Sequence, residues 1–156
     1  MADHHDPGSA VTELSADQCW ELLRSGDVAR LAVIVDDHPD IFPVNYVVDS
    51  GTVVFRSAPG TKLTAALAGP VAFEVDGYEQ QSGKAWSVVL KGRAQQMRDV
   101  DELNDSFDLP LFPWQAGRKG TFVRVEAASI TGRRFPVAAR SSWTSPYRDR
   151  PRTAPE

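Results

Sequence analysis

The chain has 156 residues, of which 42% are hydrophobic and 24% charged, a composition typical of one globular domain with its own core. Its 17 basic and 21 acidic residues give a formal net charge of −4, which argues against nucleic acid or an anionic membrane as the main partner. The single cysteine, Cys19, excludes an intramolecular disulfide framework.

The ends of the sequence predict flexible tails and a cytoplasmic protein. The first residues lack the basic and apolar regions of a signal peptide, and no apolar run approaches the ~20 residues that span a bilayer. Residues 1–13 are polar, and residues 137–156 are rich in Arg, Ser and Pro. We therefore expect one domain over residues 14–136 between two tails.

The first predicted element is a helix that begins after Ser15. Ser15 and Gln18 have the spacing of a capping box, Leu23 lies on an apolar stripe, and Gly26 is a stop signal. Cys19 on the same stripe is predicted to be a small core residue rather than a nucleophile, because no basic cluster lies close to it in sequence.

Two strands are predicted next, at Val28 to Val35 and at Ile41 to Val48, with the turn at residues 36–39. Pro43 interrupts the second run. Because proline has no N–H, it predicts an edge, a bulge or a local departure from the ladder. Such a departure leaves neighbouring backbone groups free to meet a ligand, although a plain edge strand is the simpler explanation.

A hairpin and a short helix give the clearest functional signal. Residues 49–51 predict a tight loop with Gly51 at positive φ. The following strand ends at Arg56-Ser57, and Thr61 is predicted to cap a helix that ends at Leu67 or Ala68. Lys62 is then in the first turn, where a cation is unfavourable for the helix but helps to hold an anion. On local chemistry alone, an ordinary hairpin with a solvated helix explains these residues slightly better.

The remaining elements complete a mainly β chain. Strands are predicted at Val71 to Asp76, at Ala85 to Ala94 with a bulge at Gly92, and at Phe122 to Val125. A short helix is predicted near Asp99. Residues 109–114, Leu-Pro-Leu-Phe-Pro-Trp, predict an apolar loop at an interface or a pocket rim. About six strands joined by hairpins and one helix predict a mainly antiparallel barrel.

The sequence contains no motif that would perform chemistry by itself. It has no P-loop, no dinucleotide-binding glycine motif, no nucleophile elbow, and no Cys/His/carboxylate set with metal spacing, so no metal site is expected. If the protein is an enzyme, a bound cofactor would carry the reactivity.

The ordered series of segments resembles the pyridoxamine 5′-phosphate oxidase-like FMN-binding split-barrel family, and most closely its small actinobacterial and nitroimidazole-reductase-like members. The resemblance covers about residues 14–135 and rests on the segments at residues 42–46, 54–57, 59–62, 83–88 with Gly92, 109–114 and 130–134. It implies a six-stranded antiparallel split β-barrel and a homodimer with FMN at the subunit interface.

The resemblance also implies roles for particular residues. Arg56, Ser57, Thr61 and Lys62 match the phosphate side of the cofactor site. Pro43, Val44, Asn45 and Tyr46 match the strand along the isoalloxazine ring, and Trp86, Ser87 and Val88 match a strand that borders the ring and the ribityl chain. Trp114 and Arg133 match regions that reach the flavin of the other subunit. No catalytic residue is implied.

By this resemblance the protein is an FMN-binding oxidoreductase that acts on an unidentified small substrate. Two alternatives stay open: a non-catalytic flavin or small-ligand binding protein that serves as a store or sensor, and an F420-dependent reductase. The dedicated oxidase has a histidine-containing substrate site near its C-terminus. Here no histidine follows His38, which argues against pyridoxamine-phosphate oxidation.

Overall fold

The computed structural model describes residues 10–98 and 120–137. The predicted helix near Asp99, the loop at residues 109–114 and most of both predicted tails lie outside these ranges. The elements in chain order are β1 (Thr12–Glu13), α1 (Ala16–Ser25), β2 (Val28–Val35), β3 (His38–Asp49), β4 (Thr52–Ser57), α2 (Thr61–Ala68), β5 (Pro70–Glu79), β6 (Lys84–Gln96) and β7 (Thr121–Pro136). Neither helix of this described part is long and apolar enough to cross a membrane.

The strands form one antiparallel sheet that closes on itself. Their order is β1-β7-β4-β3-β2-β5-β6, and β6 also pairs with β7. The six strands β2 to β7 therefore form a ring, which confirms the predicted antiparallel barrel. The two-residue β1 pairs with Arg133 and Arg134 of β7. It lies at positions that the sequence analysis assigned to the N-terminal tail.

The core fills the ring with alternate residues of each strand. Phe55, Phe73, Leu31 and Leu90 are among its largest fully buried side chains. Cys19 of α1 is fully buried and packs in the same cluster, which confirms it as a core residue. Burial raises the pKa of its thiol.

Both hairpin turns around β3 are tight and use positive φ angles. Asp36 and Asp37 have φ of 48° and 64°, so that turn has two residues, and β3 begins at His38, three positions before its predicted start at Ile41. Ser50 and Gly51 have φ of 50° and 70°. Two successive positive φ angles are typical of the type I′ turns that join twisted antiparallel strands.

β7 is far longer than its predicted core of Phe122 to Val125, and it has 16 residues. Its start pairs with β4, and almost its whole length pairs with β6. The β6–β7 register shifts between Lys91 and Gly92, which confirms the predicted irregularity. A Cβ on Gly92 would overlap the carbonyl oxygen of Glu126, so the close approach of the two strands requires glycine there.

Candidate functional site

A cavity of about 590 Å³ lies where β3, β4 and α2 meet, and we call it the β3–α2 cavity. It brings together seven of the predicted site residues, namely Pro43, Val44, Asn45, Arg56, Ser57, Thr61 and Lys62. Its remaining lining residues are Phe42, Ala58, Pro59 and Gly60. The sequence analysis did not name these four as site residues, although all four fall within or beside the segments that carry the family resemblance.

The cavity opens because β3 and β4 separate. They pair only from Tyr46 to Asp49 on β3, whereas Arg56 and Ser57 at the end of β4 pair with β7. Pro43 pairs with β2 on its other side. Before Tyr46, one side of β3 therefore has no strand partner among the described residues, and this unpaired side faces the cavity. Pro43 lies on this unpaired edge, as its missing N–H predicts.

Two cations from different elements line the cavity. The Nζ of Lys62 lies 4.6 Å from the centre of the Phe42 ring, and the Cζ of Arg56 lies 5.0 Å from the centre of the Phe122 ring. A cation over an aromatic face gains about 0.5–2 kcal/mol, more where water is excluded. Phe42 and Phe122 thus help to hold the charges of Lys62 and Arg56 beside the cavity. Phe42 directly precedes the predicted site residues Pro43 to Tyr46, and this adjacency is the signal that could have found it.

The start of α2 supplies uncapped donors to the same wall. The N-cap is Gly60 rather than Thr61, so the predicted cap was wrong, and no side chain caps this terminus. The first turn also carries no acidic residue. The N–H groups of a helix's first turn carry the positive end of its dipole, so this terminus and the two cations together form a wall suited to an anion.

Ser57 and Tyr46 have different surroundings. Ser57 is 5% exposed, and its hydroxyl donates to the carbonyl oxygen of Ala58 at 3.1 Å. Tyr46 points into the barrel core, away from the cavity. Its hydroxyl donates to the carbonyl oxygen of Leu23 at 2.5 Å, and its ring meets Phe73 edge-on at 5.0 Å. Burial, followed by the charge of Asp27, raises the pKa of Tyr46.

The predicted residues of β6 divide between two faces of the sheet. Trp86 and Val88 are buried in the core. Ser87 lies on the outer face and pairs in register with Arg133. Ser87 and Arg133 both line a second cleft of about 370 Å³, the β6–β7 cleft, which shares no lining residue with the β3–α2 cavity. Trp114 lies outside the described residues.

The residues that the structure describes contain no group of three or more His, Cys, Asp or Glu side chains that could hold a metal ion. The donor set of the β3–α2 cavity consists of cations, hydroxyls, amide groups and apolar walls, which suits a phosphorylated organic ligand.

The comparisons with known proteins agree with the fold. Residues 15–134 match a family model described as pyridoxamine 5′-phosphate oxidase. The uncharacterized protein Rv0080 of Mycobacterium tuberculosis is 30% identical over 137 residues, which are 84% of this chain and 90% of that protein.

Two solved structures are similar in sequence as well as in fold. The FAD-binding protein from Mycobacterium smegmatis is 42% identical, with a TM-score of 0.70 over 80% of this chain and 98% of that one. An FAD-binding protein from Mesorhizobium loti is 27% identical, with a TM-score of 0.64 over 80% of this chain and 97% of that one. Since the family model spans most of the sequence and the barrel matches these structures, the chain belongs to the pyridoxamine 5′-phosphate oxidase-like family of split-barrel proteins.

Proposed function

We propose that the protein binds a flavin nucleotide, with its phosphate end in the β3–α2 cavity, and acts as an FMN-dependent oxidoreductase on a small substrate. The observation that carries this proposal is the convergence of Arg56, Lys62 and the uncapped start of α2 on one cavity. Flavin, when bound, supplies the hydride or electron transfer that the side chains of this cavity lack.

The chain's own residues would bind and orient the cofactor. Arg56 and Lys62 offer charge-assisted hydrogen bonds to a phosphate, and Ser57 and Thr61 offer hydroxyls beside them. Pro43 and Val44 form an apolar wall on the unpaired edge of β3, and Asn45 adds a polar side chain to it. A flat, partly polar ring needs such a mixed surface.

The phosphate assignment predicts the effect of removing one cation. Lys62→Ala should weaken FMN binding at least several-fold, because a charge-assisted hydrogen bond contributes roughly 1.5–3 kcal/mol. Arg56→Ala should weaken it similarly, and both variants should still unfold cooperatively in urea. Quenching of flavin fluorescence on titration with protein measures the affinity.

The matched control is Lys84→Ala, which removes an exposed lysine of β6 that does not line the cavity. This variant should bind FMN as the unaltered protein does. Unchanged FMN affinity in both Lys62→Ala and Arg56→Ala would remove the phosphate assignment.

FAD is the second candidate cofactor, because two of the similar structures are FAD-binding proteins at 42% and 27% identity. FMN and FAD share the phosphate that the cavity would hold, and they differ by an adenylate that raises the ligand mass. F420 has a deazaflavin chromophore that absorbs nearer the violet, so an absorbance spectrum separates it from both. Turnover with NAD(P)H and an acceptor separates an oxidoreductase from a flavin store or sensor.

We also propose a cytoplasmic homodimer with the cofactor at the subunit interface. A barrel of this size fills its interior with side chains, so a bound flavin needs a second wall from elsewhere. Ser87 and Arg133 in the β6–β7 cleft lie apart from the β3–α2 cavity of the same chain. A two-fold axis would let this cleft, or the loop at residues 109–114, meet the flavin of the partner.

A further inference from the structure

Lys62 lies beside the β3–α2 cavity at a position that its own helix does not favour. It is in the first turn of α2 (Thr61–Ala68), and this turn has no side-chain cap and no acidic residue. The positive end of the helix dipole lies at the same place and disfavours a cation there. A contact that offsets this cost must come from another element.

The ring of Phe42 on β3 supplies such a contact. The Nζ of Lys62 lies 4.6 Å from the centre of this ring, within the ~6 Å over which an aromatic face attracts a cation. The body of α2 packs mainly on β2, β5 and β6. The contact therefore joins the start of α2 to β3, and both residues line the cavity between these two elements.

The barrel fixes the ring of Phe42. Phe42 pairs in register with Leu31, which is fully buried, and directly paired residues project from the same face of a sheet. The ring is half-buried and packs against the core cluster, and it also lines the cavity. Because close packing restricts its side-chain positions, the ring offers Lys62 a platform of defined position.

An aromatic ring holds an ammonium group differently from a carboxylate. The ring carries no net charge, so it restrains the lysine without cancelling the attraction of the lysine for an anion. The ammonium has three N–H donors, and a ring on one side leaves donors for the other side. A contact that already limits the rotamers of a long side chain also reduces what a ligand must still order when it binds.

We propose that Phe42 is a positioning residue, whose ring holds the ammonium of Lys62 over the β3–α2 cavity where it meets the phosphate of a bound ligand. Phe42 acts through Lys62 and makes no hydrogen bond of its own to the phosphate. This inference rests on the phosphate-binding role proposed for Lys62, but the contact between the two side chains can be measured without flavin.

The NMR signal of the Lys62 side chain reports the contact in the full-length protein without ligand. Protons over the face of an aromatic ring are shielded, so the Hε protons of Lys62 should resonate upfield of ordinary lysine values. Lys62→Met identifies the signal by its loss. Phe42→Leu should return the signal to the ordinary position, whereas Phe42→Tyr should keep it upfield. An ordinary lysine shift in the unaltered protein overturns the proposal, even where Phe42→Leu fails to fold.

A double-mutant cycle shows whether Phe42 acts through Lys62. Phe42→Leu should weaken FMN binding about three- to tenfold, because a contact between a cation and an aromatic face is lost, and Phe42→Tyr should retain most of the affinity. On the Lys62→Met background, Phe42→Leu should have no further effect. An equal loss of affinity on both backgrounds would mean that Phe42 is only an apolar wall, and it would overturn the positioning role.

Two controls remove aromatic rings elsewhere. Tyr78→Leu removes an exposed ring of β5 outside the cavity, and it should leave both the FMN affinity and the Lys62 signal unchanged. Phe122→Leu removes the ring beside Arg56, and its effect on affinity should be the same with and without Lys62. Dependence of the Phe122→Leu effect on Lys62, to the same extent as for Phe42→Leu, would overturn the specific pairing.

Inorganic phosphate separates this inference from the proposed function. Phosphate titration followed through the Lys62 signal should give an affinity that Phe42→Leu lowers by about the same factor as it lowers that for FMN. A protein that binds phosphate in this way but takes up no flavin supports the role of Phe42 and contradicts the flavin proposal. Equally strong flavin binding by Phe42→Leu and the unaltered protein does the reverse, and a protein that binds neither ligand overturns both.

Discussion

Tyr46 could have either of two roles. Its place in sequence suggests the cofactor site, whereas its direction on the strand places it in the core. It follows Pro43, Val44 and Asn45 in sequence, yet it projects into the core and is 2% exposed. Its hydroxyl stays protonated, because burial raises its pKa, and it donates to Leu23 near the end of α1. We therefore assign Tyr46 to stability, as the side chain that ties the end of α1 to β3.

Tyr46→Phe should lower the free energy of unfolding by about 0.5–1.5 kcal/mol, since it removes one buried hydrogen bond and no ring contact. The control Tyr78→Phe alters an exposed tyrosine of β5 and should change stability by less than about 0.5 kcal/mol. Urea unfolding measures both. Flavin affinity should not change; a loss of affinity at unaltered stability would place Tyr46 in the cofactor site.

The raised pKa of Glu74 predicts that the stability of the protein depends on pH. Burial, together with the charge of Asp76, raises the pKa of Glu74 and outweighs the lowering effect of Arg30. A raised pKa in the folded state means that the stability contributed by this group is present below its unfolded pKa, about 4.3, and is lost as the pH rises through the folded value.

Glu74→Gln cannot titrate, so its stability relative to the unaltered protein should increase from pH 4 to pH 7. Urea midpoints at pH 4, 5.5 and 7 measure the difference between the two proteins. A difference that stays constant or decreases with pH would show that the ion pair with Arg30 outweighs burial at this carboxylate.

At the scale of the elements, the contact between β6 and β7 closes the ring. The two strands pair from Lys84–Pro136 to Gln96–Val123 with a single register shift. Gly92 permits that shift, because its lack of a side chain leaves room for the carbonyl oxygen of Glu126. Closure of the barrel therefore depends on one small residue at the bulge.

Gly92→Ala should destabilise the protein by about 1–3 kcal/mol, because the added methyl group meets backbone that cannot move without breaking the pairing. Gly69→Ala is the matched control, since φ there is −154° and a Cβ at Gly69 has no atom within 4 Å. Thermal unfolding of both variants compares them. Equal melting temperatures would show that the two strands can separate locally at little cost.

The sequence predicts the elements best where local chemistry decides. The Ser15–Gln18 capping box forms as predicted, as do the turn with Gly51 at positive φ and the irregularity at Gly92. The strand cores also follow their apolar alternation. For the capping box and the turn, residues within a few positions contain the whole explanation. At Gly92 the glycine gave the signal, but its reason is the carbonyl oxygen of Glu126 on β7.

The prediction fails where a distant partner decides. β1 consists of two exposed residues, and it is a strand because it pairs with β7. β7 continues through Glu126 and Ala127, because Arg93 and Gly92 of β6 supply their strand partners. The Thr61 cap is a local failure instead: it is wrong by one position, since α2 begins after Gly60 with no side-chain cap.

The candidate site was predictable where its residues are close together in sequence, and not where the closed barrel decides which way a side chain faces. Residues 56–62 are local, and the structure places their predicted members on one cavity wall. Trp86 and Val88 alternate with Ser87, and only the closed ring determines that the first two face the core. Family resemblance alone could not assign these faces, because it aligns positions along the chain without showing their directions.

At the scale of the whole molecule, the fold separates two surfaces that the proposed dimer would let meet. The β3–α2 cavity is built from β3, β4 and α2, and the β6–β7 cleft lies along β1, β6 and β7. One barrel presents both but does not join them in a common cavity. A dimer that joins the cavity of one copy to the cleft of the other would create two equivalent sites.

The measurement that tests the central claim most directly is a native mass spectrum of the full-length protein after incubation with excess FMN and FAD. The account predicts a species of two chains that carries two flavins, and the added mass identifies which flavin is bound. A ligand-free chain under these conditions, or a monomer that holds flavin at full occupancy, would contradict it.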